Sequence, residues 1–245
     1  MPGFYLPTLK INDKLVTLAD EEFHHMINVF RNKVGDSINL TNGKGLIVEA
    51  EIVELSRKKA FLEILKIEKK SISEPEIGVA FSLLKNKNDL MIIEKLTELG
   101  VKKFFPMKTD FTIKKYNDKT VAKYVKTAIS AIKQCDNAFL PIFSEVLSFE
   151  KTIKKVIEEG YSPIVASERE TNFILSDLLN GFKGDKICLF IGPEGGFSDK
   201  EFEYFDEKKV AKFKLGNHIL RAETAAISSV SELVGIFLEK DKNYY

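Results

Sequence analysis

The residues best suited to chemistry lie in two glycine-containing loops in the last third of the sequence. In the first, Lys186-Ile187-Cys188-Leu189-Phe190-Ile191-Gly192-Pro193-Glu194-Gly195-Gly196-Phe197-Ser198-Asp199-Lys200-Glu201, an apolar run ends in a glycine-rich turn. Ser198 and Glu201 then form an S-x-x-E capping box that opens a helix. Such a loop sits at the carboxyl edge of a parallel sheet, where open α/β proteins bind ligands, and glycines let main-chain groups approach a ligand closely. The alternative is a tight strand-to-helix connection with no ligand. The loop lacks the Lys-Ser/Thr ending of a Walker loop and the G-x-G-x-x-G spacing, and the Glu194 carboxylate among its amides would repel a phosphate. A neutral or cationic ligand fits better, and the sulfonium of S-adenosyl-L-methionine is such a cation. The second loop, Leu215-Gly216-Asn217-His218-Ile219-Leu220-Arg221-Ala222-Glu223-Thr224-Ala225-Ala226, repeats the order strand, glycine, short loop, helix. Two such loops at neighbouring strand ends can enclose one ligand from both sides.

The elements that must carry these loops follow from hydrophobic period. Alternation of period two over 14–18, 37–41, 46–54 and 59–68, with Asn42-Gly43-Lys44-Gly45 as a hairpin turn, predicts a small β-rich domain. One helix interrupts it over 20–30, with Phe23, Met26, Ile27 and Phe30 on one face. A polar stretch over 69–75, ended by Pro75, reads as a linker and sets the domain boundary at 72/73. Beyond it, strands over 77–84, 103–107, 163–167, 187–191 and 212–215 alternate with helices over 88–99, 118–135, 149–159, 199–208 and 223–238. Alternating β and α predicts a mostly parallel sheet covered on both faces.

The 245 residues, 44% hydrophobic and 30% charged, have the composition of a folded protein and exclude disordered and fibrous classes. A net charge of +1 gives no overall drive toward nucleic acid or membranes. Residues 85–126 nevertheless carry eleven lysines against five acids, a candidate basic face. Two cysteines, Cys135 and Cys188, offer neither a disulfide framework nor zinc spacing, and the three histidines show no metal motif, so no metal is expected. The first residues lack the pattern of a secretory signal, and no apolar run reaches the ~20 residues of a membrane span; a cytoplasmic location without membrane contact is expected.

Taken together, Ile191-Gly192-Pro193-Glu194-Gly195-Gly196-Phe197-Ser198, Leu215-Gly216 and Ile219-Leu220-Arg221-Ala222-Glu223-Thr224-Ala225 resemble the signature of the ribosomal RNA small subunit methyltransferase E family of the SPOUT superfamily. His24-His25 with Val29-Phe30-Arg31 and Gly35-Asp36, and Lys85 followed by Glu94-Lys95-Leu96-Thr97-Glu98-Leu99-Gly100-Val101, resemble two further family segments in the same order. Gln134 and Pro141 also fall in place. The resemblance implies a PUA-like β-barrel for RNA over residues 1–72 and, over 73–245, a SPOUT-type α/β domain whose chain forms a deep trefoil knot. It implies S-adenosyl-L-methionine held by Ser167, Ile191, Gly192, Pro193, Glu194, Gly196, Leu215, Gly216, Ile219, Leu220, Arg221, Thr224 and Ala225, largely through main-chain groups. It also implies a homodimer with the active site at the subunit interface, to which the widely apolar segment 225–238 adds modest support.

The implied reaction is methylation of N3 of a uridine in 16S ribosomal RNA, presented in an assembled 30S subunit. N3 must lose a proton, and negative charge then spreads onto O2 and O4. Arg221 is the candidate for stabilising that charge, the alternative being a structural ion pair with Glu194 or Glu223. Glu194 or Glu223 can accept the proton or merely orient Arg221, and proximity can supply much of the rate with no dedicated base. Thr224 is expected to cap the last helix or touch the cofactor. Arg31, Lys33, Lys85, Lys114 and Lys115 are the candidate RNA contacts, whereas His24 and His25 are expected to pack within the small domain. The chain departs from the resemblance where Phe111, Asn137 and Gly3-Phe4-Tyr5 stand in place of arginine-bearing segments. Those losses bear on RNA contacts rather than on the cofactor loops, so methylation of another RNA position, or a lapsed RNA-binding protein, are the rival readings.

Overall fold

The computed structural model describes residues 3–72, 75–85, 88–117, 119–167 and 173–242. Residues Ser73 and Glu74 of the expected linker and Asp118 at the expected start of the third helix lie outside them. The chain divides into two compact units, Met1–Ile72 with Ile129–Leu140, and Ser73–Ala128 with Pro141–Tyr245.

The first unit is built on strands β1 (Phe4–Tyr5), β2 (Leu15–Ala19), β3 (Ser37–Thr41), β4 (Leu46–Leu55) and β5 (Lys59–Lys69), with helix α1 (Asp20–Asn28) after β2. The strands form one sheet in the order β1-β3-β4-β5-β2, antiparallel except for the β1–β3 pair. Register shifts at Glu49/Ala50 and Ile52/Glu54 bend the long β4–β5 ribbon. The alternating residues of β4, Leu46, Val48, Ala50 and Ile52, point into a core shared with Phe23 and Met26 of α1, which is why the period-two reading succeeds here. The β3–β4 turn is held by Asn42, whose Oδ1 accepts from the amides of Lys44 and Leu46 at 2.7 and 3.2 Å. His25 packs edge-on against Phe30 and Phe4, with ring centroids 4.9 and 6.2 Å away.

The second unit holds β6 (Glu76–Ser82), α2 (Asn88–Glu98), β7 (Lys103–Lys108), most of α3 (Lys119–Gln134), β8 (Ile142–Phe143), β9 (Leu147–Ser148), α4 (Phe149–Glu158) and β10 (Ser162–Ala166). After these come α5 (Leu175–Leu179), β11 (Lys186–Ile191), α6 (Asp199–Glu207), β12 (Ala211–Phe213) and α7 (Ala222–Lys242). Its sheet is parallel throughout, ordered β12-β10-β11-β6-β7-β8 with β9 also on β7. β6 and β11 are central and apolar on both faces, as a strand covered from two sides must be. On one face Cys188 and Phe190 pack with Phe149, Ile153 and Val156 of α4 and with Phe202 and Phe205 of α6. α7 packs on β11 and α2 on the other face, where Tyr124 of α3 meets Phe81 at 5.8 Å. The two-residue strands β1, β8 and β9 and the five-residue α5 are too short to show a period and do not emerge from the sequence.

Candidate functional site

Both glycine loops leave the carboxyl edge of the parallel sheet. β11 ends at Ile191, and the chain turns with Gly196 donating to the Pro193 carbonyl at 2.9 Å; Gly196 adopts φ 72°, a conformation that favours glycine. Phe197 anchors the turn, nearly buried and edge-on to Phe205 at 5.0 Å. A Cβ on Gly192 would come within 3.2 Å of the Phe197 ring and of the Gly196 backbone, so a side chain there would push the closed loop apart by a few tenths of an ångström. The expected capping box is present: Ser198 Oγ accepts from the Glu201 amide at 3.3 Å, and Glu201 Oε2 accepts from the Ser198 amide at 2.8 Å. Glu201 is almost fully buried, and its other oxygen accepts from the Asp110 amide at 3.0 Å. Burial pushes its carboxyl above the ordinary range, against the pull of those amides.

The second loop runs from Phe213, whose carbonyl accepts from the Ser167 amide at 2.9 Å, to Arg221, whose carbonyl accepts the Ala225 amide at 2.8 Å in the first turn of α7. Between the loops lies an open cavity of about 700 Å³. Ser167 follows β10 into its wall, and Ile191, Gly192, Pro193, Glu194 and Gly196 supply the side below the first loop. Leu215, Gly216, Ile219, Leu220 and Arg221 supply the second loop's side, with Glu223 and Ala225 from α7. Thr224 is exposed on α7 and is not on the wall. Ile219 is 82% exposed, an apolar side chain held in the open beside the cavity.

The charged groups have distinct situations. Glu194 Oε1 accepts from the Lys85 amide at 2.8 Å, which ties the first loop to the segment after β6. Arg221 is exposed and, among the described residues, makes no ion pair with Glu194, Glu223 or another carboxylate. Its guanidinium is therefore available to a ligand. Lys85 lines the cavity rather than standing on a separate surface, together with Asn88 at the start of α2, Phe202, Lys214 and His218. Sequence reasoning assigned none of Asn88, Phe202 and Lys214, because each is ordinary in its own segment and only the sheet order brings it to the loops.

Of the other candidate RNA contacts, Lys115 is exposed in this unit, and Arg31 and Lys33 are exposed in the first. Lys114 is different. Its Nζ lies 2.5 Å from Asp89 Oδ2, a carboxylate with no exposure, to which Tyr124 also donates at 2.6 Å. A buried carboxylate needs a countercharge, and Lys114 is that countercharge. Burial first, and the neighbouring Asp89 second, push the Tyr124 hydroxyl far above its ordinary range. Cys188 is buried with its thiol pushed up by desolvation, which removes it as a nucleophile. Among the described residues no group of three or more His, Cys, Asp and Glu could hold a metal, and no helix is long and apolar enough to cross a membrane.

Comparison with known proteins adds three findings. The family model for the RNA methyltransferase domain matches residues 72–234, and that for the RNA methyltransferase PUA domain matches residues 18–65. Ribosomal RNA small subunit methyltransferase E of Rickettsia conorii is 27% identical over 225 residues, covering 91% of this chain and 90% of the relative. Its counterpart from Bacillus subtilis is 28% identical over 230 residues, covering 89% and 88%. Among solved structures, ribosomal RNA small subunit methyltransferase E from Neisseria gonorrhoeae, bound to S-adenosyl methionine, superposes with a TM-score of 0.85 at 25% identity over 96% of this chain and 98% of that one.

Proposed function

This chain belongs to the RNA methyltransferase family, and from that premise we propose that it transfers the methyl group of S-adenosyl-L-methionine to N3 of a uridine in 16S ribosomal RNA. The carrying observation is the cavity between the two glycine loops, with Glu194, Arg221 and Glu223 on its wall. Its volume falls within the range of small-molecule and cofactor sites, about 300–1,000 Å³. The donor set also fits: glycine backbone at Gly192, Gly196 and Gly216 can meet an adenine edge, and a carboxylate at Glu194 suits a cation better than a phosphate. At Gly216 an added Cβ would meet nothing within 4 Å, so the backbone there lies open to a ligand. S-adenosyl-L-methionine supplies an electrophilic methyl carbon on a sulfonium.

The chain's own residues then have three tasks. The loops hold the cofactor at main-chain groups, and on this reading they are the crossing segments of a trefoil knot. Arg221, exposed on the cavity wall, forks toward the uracil oxygens on which charge develops as N3 loses its proton. Glu223 is the better placed proton acceptor, because Glu194 is engaged with the Lys85 amide through one oxygen. The substrate is small-subunit ribosomal RNA, in line with the names of the relatives, and on this reading it is presented in an assembled 30S subunit. The protein acts as a cytoplasmic homodimer. Buried Ala226, Val230, Leu233 and Phe237 mark the covered face of α7, while Leu238, 57% exposed, is left for a partner.

The test is calorimetric titration with S-adenosyl-L-methionine beside ATP, then methylation of 30S subunits from a deletion strain with the product nucleoside identified by mass spectrometry. One cofactor per subunit and N3-methyluridine are expected. Absence of binding by a folded protein would overturn the methyltransferase reading, and a different methylated nucleoside would overturn the assignment of N3 alone.

A further inference from the structure

Loop 109–112, after β7, is held more firmly than an exposed turn requires. The Thr109 amide donates to Thr112 Oγ1 at 2.8 Å, and that hydroxyl also meets Ser82 Oγ at 2.7 Å below it. Asp110 is fixed from the other side: its amide donates to Glu201, and its Oδ2 accepts from Ser198 Oγ at 2.5 Å. The loop is thus fastened to both ends of the capping box that closes the first glycine loop. At its tip stands Phe111, 49% exposed, followed by Ile113 at 71%.

Phe111 rests on Gly195, where an added Cβ would lie 3.3 Å from Phe111 Cβ and 3.5 Å from its ring. Gly195 itself lines the cavity. Among the described residues the ring stacks with no other aromatic group. A rigidly presented, half-bare aromatic face is unfavourable in water and favourable against another flat apolar face. Exposed Lys108 and Lys115 stand on either side of it in the sequence and suit a polyanion.

We propose that Phe111 is the platform on which the target pyrimidine stacks once it has left its RNA strand. This rests on the methyltransferase reading above, which requires the base to leave its neighbours so that N3 can reach the methyl carbon. Stacking of a base on an aromatic ring is insensitive to base identity, so Phe111 sets affinity and orientation while the cavity groups choose the atom. Gly195 is what allows the ring to lie against the loop backbone, close to the reacting centre.

The experiment compares wild type, Phe111→Ala and Phe111→Tyr for cofactor binding by calorimetry and for methylation of unmodified 30S subunits. Phe111→Ala should lower kcat/KM for subunits by about 5- to 150-fold, the equivalent of one lost stack. Cofactor affinity should stay within twofold, and Phe111→Tyr should restore most of the activity. Because the protein has no Trp, Phe111→Trp also introduces a single reporter, whose emission should be quenched by oligouridine and not by its abasic counterpart. Unchanged methylation by Phe111→Ala, or an unresponsive Trp, overturns the proposal. An equal loss of cofactor affinity would make Phe111 a prop for the glycine loop, and dissociation of the variant into monomers would make it part of a contact between copies. A wild-type protein that binds no cofactor fails at the methyltransferase reading instead, and the stacking role falls with it.

Discussion

Arg221 and Lys114 are both cations singled out from the sequence, and the structure gives them opposite employment. Arg221 has no carboxylate partner among the described residues and lines the cavity. Arg221→Ala should therefore lower the methylation rate roughly 10²- to 10³-fold, the usual effect of deleting a donor to developing charge, with cofactor binding by calorimetry unchanged. Equal loss of both would assign it to holding the loop. Lys114 neutralises buried Asp89, so Lys114→Ala should destabilise the protein by about 1.5–3 kcal/mol in denaturant titrations. Lys115→Ala should leave stability alone and reduce the slope of log affinity against log salt for RNA by about one. Two adjacent lysines cannot be told apart by type or spacing. What separates them is a carboxylate 25 residues away, and no local pattern announces it.

At the scale of elements, the capping box was the most legible feature of the site. Ser198 and Glu201 stand at the right spacing after an apolar strand, and the helix begins where they say. Their second role was not legible, because it depends on Asp110 arriving from another strand. Glu201 carries a folded-state pKa raised above its unfolded value by burial. The folded protein then binds more protons than the unfolded one between those two values, so stability falls as pH rises through that window. Replacing Glu201 by Gln removes one acceptor at every pH, costing about 1–3 kcal/mol, but also removes the titration. The thermal-midpoint gap between wild type and Glu201→Gln should accordingly be larger at pH 4 than at pH 7. A gap that is constant with pH would refute the buried-carboxylate account.

For the whole molecule, the alternation of strand and helix beyond residue 75 was enough to read a parallel sheet with covered faces. It could not give the strand order, in which β10 sits between β12 and β11 and so brings both glycine loops together. That order is set by pairing between segments far apart in sequence. The homodimer belongs to this scale as well. Leu238→Glu places a charge on the uncovered side of α7. Given about 1.5–3 kcal/mol for a buried leucine, it should weaken dimerisation roughly tenfold or more in sedimentation velocity. An unchanged dimer would move the interface away from this face.

The first unit is not a continuous stretch of sequence, since it takes residues 129–140 as well as the first 72. Gly45 donates to the carbonyl of Ala138, Leu140 donates to that of Gly43, and Lys133 pairs with Glu22. A clone ending at residue 72 would thus remove part of the wall of the very module it meant to isolate. The gene offers no single cut that frees the small module intact. Shuffling it onto another enzyme by simple fusion of residues 1–72 would leave behind the segment 129–140 that packs with them.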